Sequence, residues 1–269
     1  MRPAVFRDAA VCTRMPTKRR HIPTLDDEEV DEKKVSGIRR ENASVSSKYF
    51  QSQKMRLLSD FYNKPCIELA KSFLGQILVR RLPDGTELRG TIVETESYLG
   101  GEDEASHSRG GKRTERNVAM FMEPGTIYVY QIYGMYFCMN VSSQGDGAAV
   151  LLRSLEPMEG LDTMRRFRNA KRNVQKPLKD KELCNGPSKL CMAFAIEKNF
   201  DRRDLANDQS IWLEAGPEIP EEDIVSCARI GISNAGEWTR KPLRFYIKDN
   251  KFVSVRDKTA EISVNTEHV

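Results

Sequence analysis

Thr126-Ile127-Tyr128-Val129-Tyr130-Gln131-Ile132-Tyr133-Gly134-Met135-Tyr136-Phe137-Cys138-Met139-Asn140 reads as a strand, a turn and a returning strand. A Gly-Met step follows Tyr133, where the chain turns back. Tyr128 and Tyr130 are two residues apart, so they share one face of an extended strand. Rings on such a unit suit stacking or wedging against bases. Sheet packing accounts for them too, because Tyr is a common strand residue.

Working outward, the flanking segments carry similar signals. Pro65 to Phe73 has apolar residues at helical spacing, with Pro65 in the first turn and Gly75 just past the end. Gln76 to Leu82 predicts a strand, Pro83-Asp84-Gly85 a turn, and Glu87 to Tyr98 a returning strand. Ala149 to Leu155 predicts a further strand after the turn Gly145-Asp146-Gly147. Leu161 to Arg172 reads as a basic helix, and Pro187 to Ala195 as a helix opened by Gly186. Leu243 to Ile247 and Phe252 to Val255 suggest a late hairpin across Asp249-Asn250. No βαβ alternation and no repeat is visible. The expected class is α+β: a single mixed domain with a curved, largely antiparallel sheet, surrounding helices and a protruding β-hairpin.

The ends differ from this body. Residues 1–52 mix basic and acidic runs, and Phe6 is the only aromatic before Tyr49. Such a segment cannot bury enough apolar surface to offset its ordering entropy, so a disordered tail is expected. Its Lys18-Arg19-Arg20 fits a nuclear address, a phosphate-binding patch or a solvated cluster. The domain is expected over 53–260 and a flexible polar tail over 261–269.

The chain has 269 residues, with Lys+Arg 43 against Asp+Glu 39, a net charge of +4. That permits a nucleic-acid partner without demanding one. No apolar run approaches a membrane span, and no apolar core follows Met1, so neither a membrane partner nor a secretory signal is expected. Cys12, Cys66, Cys138, Cys184, Cys191 and Cys227 form no Cys-x-x-Cys pair, and several sit in apolar strings, so free buried thiols are expected. With only His21, His107 and His268, no zinc site is expected. Phosphate-loop and dinucleotide glycine patterns are absent, and no cofactor is expected.

Candidate chemistry lies in two strands and a loop. Alternation gives Glu94, Glu96 and Tyr98 one face and Val93, Thr95 and Ser97 the other. A carboxylate face sharing a Tyr either meets water or lines a cleft. His107 follows in a glycine-containing loop that continues through Lys112, Arg113, Thr114, Glu115 and Arg116, a composition suited to a phosphate. Arg153 lies inside Val150-Leu151-Leu152-Arg153-Ser154-Leu155. A cation there needs an anion, and Glu96 is a reasonable partner.

These residues converge on a family. Segments 87–98, 105–111, 120–130, 132–140 and 151–157, with Gly-Pro-Ser-Lys-Leu-Cys at 186–191 and the segment 236–246, closely resemble the vertebrate-type 3-methyladenine (alkyladenine) DNA glycosylases. The resemblance runs in order from about Leu57 to Val255. It implies a monofunctional hydrolase that flips a damaged purine from duplex DNA and leaves an abasic site. By resemblance, Glu96 is the general base. Arg153 and the backbone carbonyl of Ile230 help to hold its water. Tyr98, His107 and Tyr130 form the pocket, and Asn140 clashes with the 2-amino group of guanine. Tyr133 intercalates, Met135 flanks it, and Thr114 contacts phosphate. The family usually has Pro after that Thr, where this chain has Glu115. The implied partner is double-stranded DNA with damaged purines, met by a nuclear monomer that passes its product to abasic-site repair proteins. The alternatives are a non-catalytic binder of distorted duplex and, last, a carbohydrate-directed glycosidase, which would need a second carboxylic acid across the cleft.

Overall fold

The computed structural model describes residues 55–170 and 177–266, all within one compact unit, Phe50–Val269. The expected tail over 1–52, Lys18-Arg19-Arg20, Cys12, His21 and His268 lie outside the described residues, as does the end of the helix expected to reach Arg172. In chain order the helices are α1 (Ser59–Tyr62), α2 (Cys66–Ser72), α3 (Leu161–Asn169), α4 (Pro187–Ala193) and α5 (Lys258–Thr266). The strands are β1 (Ile77–Arg81), β2 (Glu87–Tyr98), β3 (Ile127–Ile132), β4 (Tyr136–Ser142), β5 (Ala149–Glu159), β6 (Ile211–Glu214), β7 (Ile224–Cys227) and β8 (Arg244–Ile247).

Every strand pair is antiparallel, in the order β3-β4-β5-β2-β1-β6. The α+β class therefore holds. Strand β2 is long enough to serve two neighbours along one edge. Its first half pairs with β1, and Glu94–Glu96 pair with β8, which continues to β7. Its other edge pairs with β5 throughout. The turn between β1 and β2 is closed by Asp84, whose carboxylate accepts the Thr86 N–H at 2.9 Å.

Helix α2 packs on β2 and β5, and α4 on β4 and β5. Leu69, Phe73, Leu78, Ile92, Met139 and Phe194 are among the side chains this buries. Each removes surface worth about 2 kcal/mol from water. The polar residues Thr95 and Ser97 are tolerated in this layer because their hydroxyls donate to the α2 carbonyls of Ala70 (2.9 Å) and Cys66 (3.2 Å).

Some sequence expectations need correction. The late hairpin does not form: β8 pairs with β7 and β2 instead. Phe252–Val255 is no strand, because the Phe252 N–H goes to the Asn250 side chain and the Ser254 N–H to Glu94. Strand β5 continues to Glu159, and β6 and β7, four residues each, were not foreseen. The boundary placed at residue 261 falls inside α5, where Glu261 is tied to Arg256 and Tyr246.

Candidate active site

The β2–β5 ladder carries the decisive irregularity. Glu94 pairs with Ser154 and Thr95 with Leu152, so Arg153 is an extra residue in a bulge. A bulge re-aims the side chain it inserts. Arg153 accordingly reaches both buried carboxylates of β2: Nε lies 3.3 Å from Glu94 Oε1 and Nη1 3.2 Å from Glu96 Oε1. The expected Glu96–Arg153 pair is present, and Glu94 shares it.

Glu96 has no exposed surface. Besides Arg153, it accepts the Tyr98 hydroxyl at 2.9 Å on Oε2 and the Ile230 N–H at 2.8 Å on Oε1. At Ile230 the observed contact with Glu96 is thus the amide hydrogen. Burial raises the Glu96 pKa; Arg153, the Ile230 amide and Tyr98 oppose the rise, and Glu94 adds to it. A carboxylate moved toward neutrality in this way is poised for proton transfer.

Beside this carboxylate lies a cavity of about 270 Å³, lined by the three residues that bond Glu96 (Tyr98, Arg153 and Ile230) and not by Glu96 itself. The expected Tyr98, His107, Tyr130, Asn140, Arg153 and Ile230 all line it. His107 stands edge-on to Tyr130, with 4.6 Å between centroids and 80° between planes. Asn140 is buried and donates to the Tyr128 carbonyl at 3.2 Å, so its side chain is fixed on β4.

Sequence reasoning missed two supports. Tyr128, which fits the packing role, also places its hydroxyl 2.8 Å from His107 Nδ1. The Arg116 guanidinium lies near this phenol and opposes the rise that burial gives its pKa. Desolvation by the surrounding rings and the nearby Arg116 charge hold the His107 pKa below its ordinary value, although the residue keeps exposed surface at the rim. His107 is neutral at pH 7, with its Nδ1 engaged by the Tyr128 hydroxyl. Second, Arg229 lies behind Tyr98, 4.6 Å from its ring centre, and donates to Asp103 at 2.5 and 2.8 Å. Both side chains are fully buried. Asp103 also accepts the N–H groups of Leu99 and Ala105. This pair holds the Tyr98 ring from behind. Asp103 sits between Glu102 and Glu104, and nothing in its sequence surroundings set it apart.

The hairpin tip stands outside the pocket. Tyr133 is 86% exposed and Met135 53%. Both central residues of the turn have positive φ, Tyr133 at 50° and Gly134 at 68°, and the turn closes by Met135 N–H to Ile132 O at 3.2 Å. Such a turn matches the twist of the flanking strands. An aromatic in this conformation is strained and uncommon. On the other side of His107, Arg109, Lys112, Thr114 and Arg116 line a second, cationic hollow. The Thr114 amide and hydroxyl are both spent on Asn117 Oδ1, at 2.7 and 2.9 Å. Glu115 pairs with Arg202.

Comparison with known proteins agrees with this geometry. The model of the methylpurine-DNA glycosylase (MPG) family matches residues 60–251. A human protein named DNA-3-methyladenine glycosylase is 63% identical over 219 residues, covering 79% of this chain and 74% of its own length. Its mouse counterpart is 64% identical over 210 residues, covering 77% of this chain and 63% of itself. The rat protein is 54% identical over 258 residues, covering 94% and 80%. The matched stretch takes in the sheet, the pocket strands and the hairpin together, and the chain belongs to the methylpurine-DNA glycosylase family of DNA-repair hydrolases.

Proposed function

We propose that the chain flips damaged purines (3-methyladenine, 7-methylguanine, hypoxanthine and ethenoadenine) out of duplex DNA and hydrolyses their N-glycosidic bond, acting in the nucleus as a monomer. Glu96 carries the reading. A carboxylate without exposed surface is oriented by three donors, Tyr98, Arg153 and the Ile230 N–H, whose residues all line an aromatic pocket. It suits a group that takes a proton from water and stabilises positive charge on the sugar.

The other residues take roles their positions support. Tyr133 fills the gap left by the flipped base, offsetting part of the few kcal/mol that unstacking costs. Met135 flanks it. Tyr98 and Tyr130 offer ring faces that favour electron-poor cationic alkylpurines. His107 hydrogen-bonds the base. Asn140, held by the Tyr128 carbonyl, excludes the 2-amino group of guanine. Arg153 and the backbone at Ile230 flank the attacking water. Thr114, with the cations beside it, takes a phosphate once its hydroxyl turns from Asn117. Among the described residues no lysine lines the pocket, which supports reading the enzyme as a hydrolase without a Schiff-base step. The abasic product passes to downstream repair proteins.

The test is single-turnover excision from an inosine-containing duplex by the Glu96→Gln variant. Binding is retained and excision is abolished. A near wild-type rate would remove Glu96 as the base, and binding without excision by the wild-type protein would leave only a reader of distorted duplex.

A further inference from the structure

Glu94 is a second fully buried carboxylate, two residues from Glu96, and the reaction does not use it. Its oxygens are saturated. Oε1 accepts Arg153 Nε at 3.3 Å, Arg244 Nη1 at 2.9 Å and the Ser254 hydroxyl at 2.9 Å, and Oε2 accepts the Ser254 N–H at 2.8 Å. Arg244 also donates to Ala228 O at 2.8 Å and Val255 O at 2.7 Å. It therefore ties Glu94 to the loop whose Ile230 N–H bonds Glu96.

We propose that Glu94, anchored by Arg244 and Ser254, is a positioning residue that divides the Arg153 guanidinium between two carboxylates and so fixes how strongly Arg153 holds Glu96. The inference rests on Glu96 being the base.

The groups around Glu96 leave few other sources of charge. On its own strand are Glu94 and Tyr98. Arg153 comes from β5, and Arg244 stands opposite Glu96 on β8. Tyr130 on β3, Cys138 on β4 and Cys227 on β7 also face it, but burial raises all three pKa values and keeps them neutral. Besides burial and the Ile230 N–H and Tyr98 hydroxyl, the charges acting on Glu96 are one guanidinium, Arg153, and one anion, Glu94, with Arg244 acting through its hold on Glu94. Anything that loosens Glu94's grip on Arg153 directs more positive charge to Glu96 and favours its ionised form. Anything that removes another donor from Glu94 makes it compete harder for Arg153, with the opposite result.

Two substitutions separate this from a structural role. Glu94→Gln removes the competing anion, and the acid limb of the single-turnover rate moves to lower pH, by about half a unit or more. Ser254→Ala removes one hydroxyl donor without changing charge, and the limb moves to higher pH. The measurement is the pH–rate profile on an inosine-containing duplex with the full chain, run beside Glu96→Gln. A purely structural role lowers plateau rate or thermal midpoint in both variants and moves neither limb. Unmoved limbs, or shifts in one direction only, overturn the proposal while an inactive Glu96→Gln leaves the base in place. An active Glu96→Gln removes both. If Glu94→Gln does not fold, Ser254→Ala alone decides by the sign of its shift.

Discussion

Tyr98 donates its hydroxyl to Glu96 Oε2 at 2.9 Å while the guanidinium of Arg229 lies 4.6 Å from the centre of the same ring. One side chain thus serves as a wall of the pocket and as a donor to the carboxylate buried beside it.

The pH dependence follows from that bond. Burial raises the Glu96 pKa above its ordinary 4.5. In the proposed reaction Glu96 acts in its ionised form, so the rate is expected to fall as pH drops through a value above 4.5, not at it. Tyr98→Phe removes a donor to the ionised form, raises the pKa further and moves the acid limb to higher pH. A hydrogen bond to a charged group is worth about 1.5–3 kcal/mol, so the rate below the limb falls roughly tenfold or more. Single-turnover excision across pH measures both.

The hairpin tip sets stability against activity. Tyr133 has φ 50°, a conformation that Asn tolerates far better. Tyr133→Asn relieves strain of about 1 kcal/mol and leaves the thermal midpoint equal or higher. It also removes the ring that would replace the flipped base, and the fluorescence change of an ethenoadenine duplex on binding is lost. A lowered midpoint with intact flipping reverses both assignments.

Asp103 and Arg229 form a closed, buried pair. Asp103→Ala strands a guanidinium without solvent, which costs about 3–5 kcal/mol. Urea unfolding shows a loss of unfolding free energy of that size, and excision falls because the Tyr98 ring loses its backing.

Glu115 occupies the position where the family pattern usually has Pro, and Arg202 neutralises it at the surface. Glu115→Gln frees that guanidinium for phosphate. The salt slope of duplex binding steepens by about one, and stability changes by less than about 0.5 kcal/mol, as expected for an exposed pair.

Much of the fold was legible from two-residue alternation, which located β2 through β5 and the hairpin. The Glu96–Arg153 pair was legible because a cation in an apolar strand requires an anion. The direction of Arg153 was not, since it depends on a bulge that appears only when β2 and β5 are laid side by side. Glu94 looked like Glu96, and its anchoring by Ser254 joins residues 160 positions apart. Phe252–Val255 alternates like a strand, but side chains take its amides first. Strands β6 and β7 are too short for periodicity to register.

Around Glu96, β2 is paired on both edges, by β5 and by β8, whereas the hairpin belongs to β3 at the sheet's margin. The two ends of the reaction therefore sit at opposite extremes of local stability. Amides beside the carboxylate exchange with solvent only when the whole sheet opens, and those at the tip exchange by fraying of a single ribbon. Motion at the exposed tip is thereby separated from the position of Glu96, which stays within the motion of a doubly laddered strand.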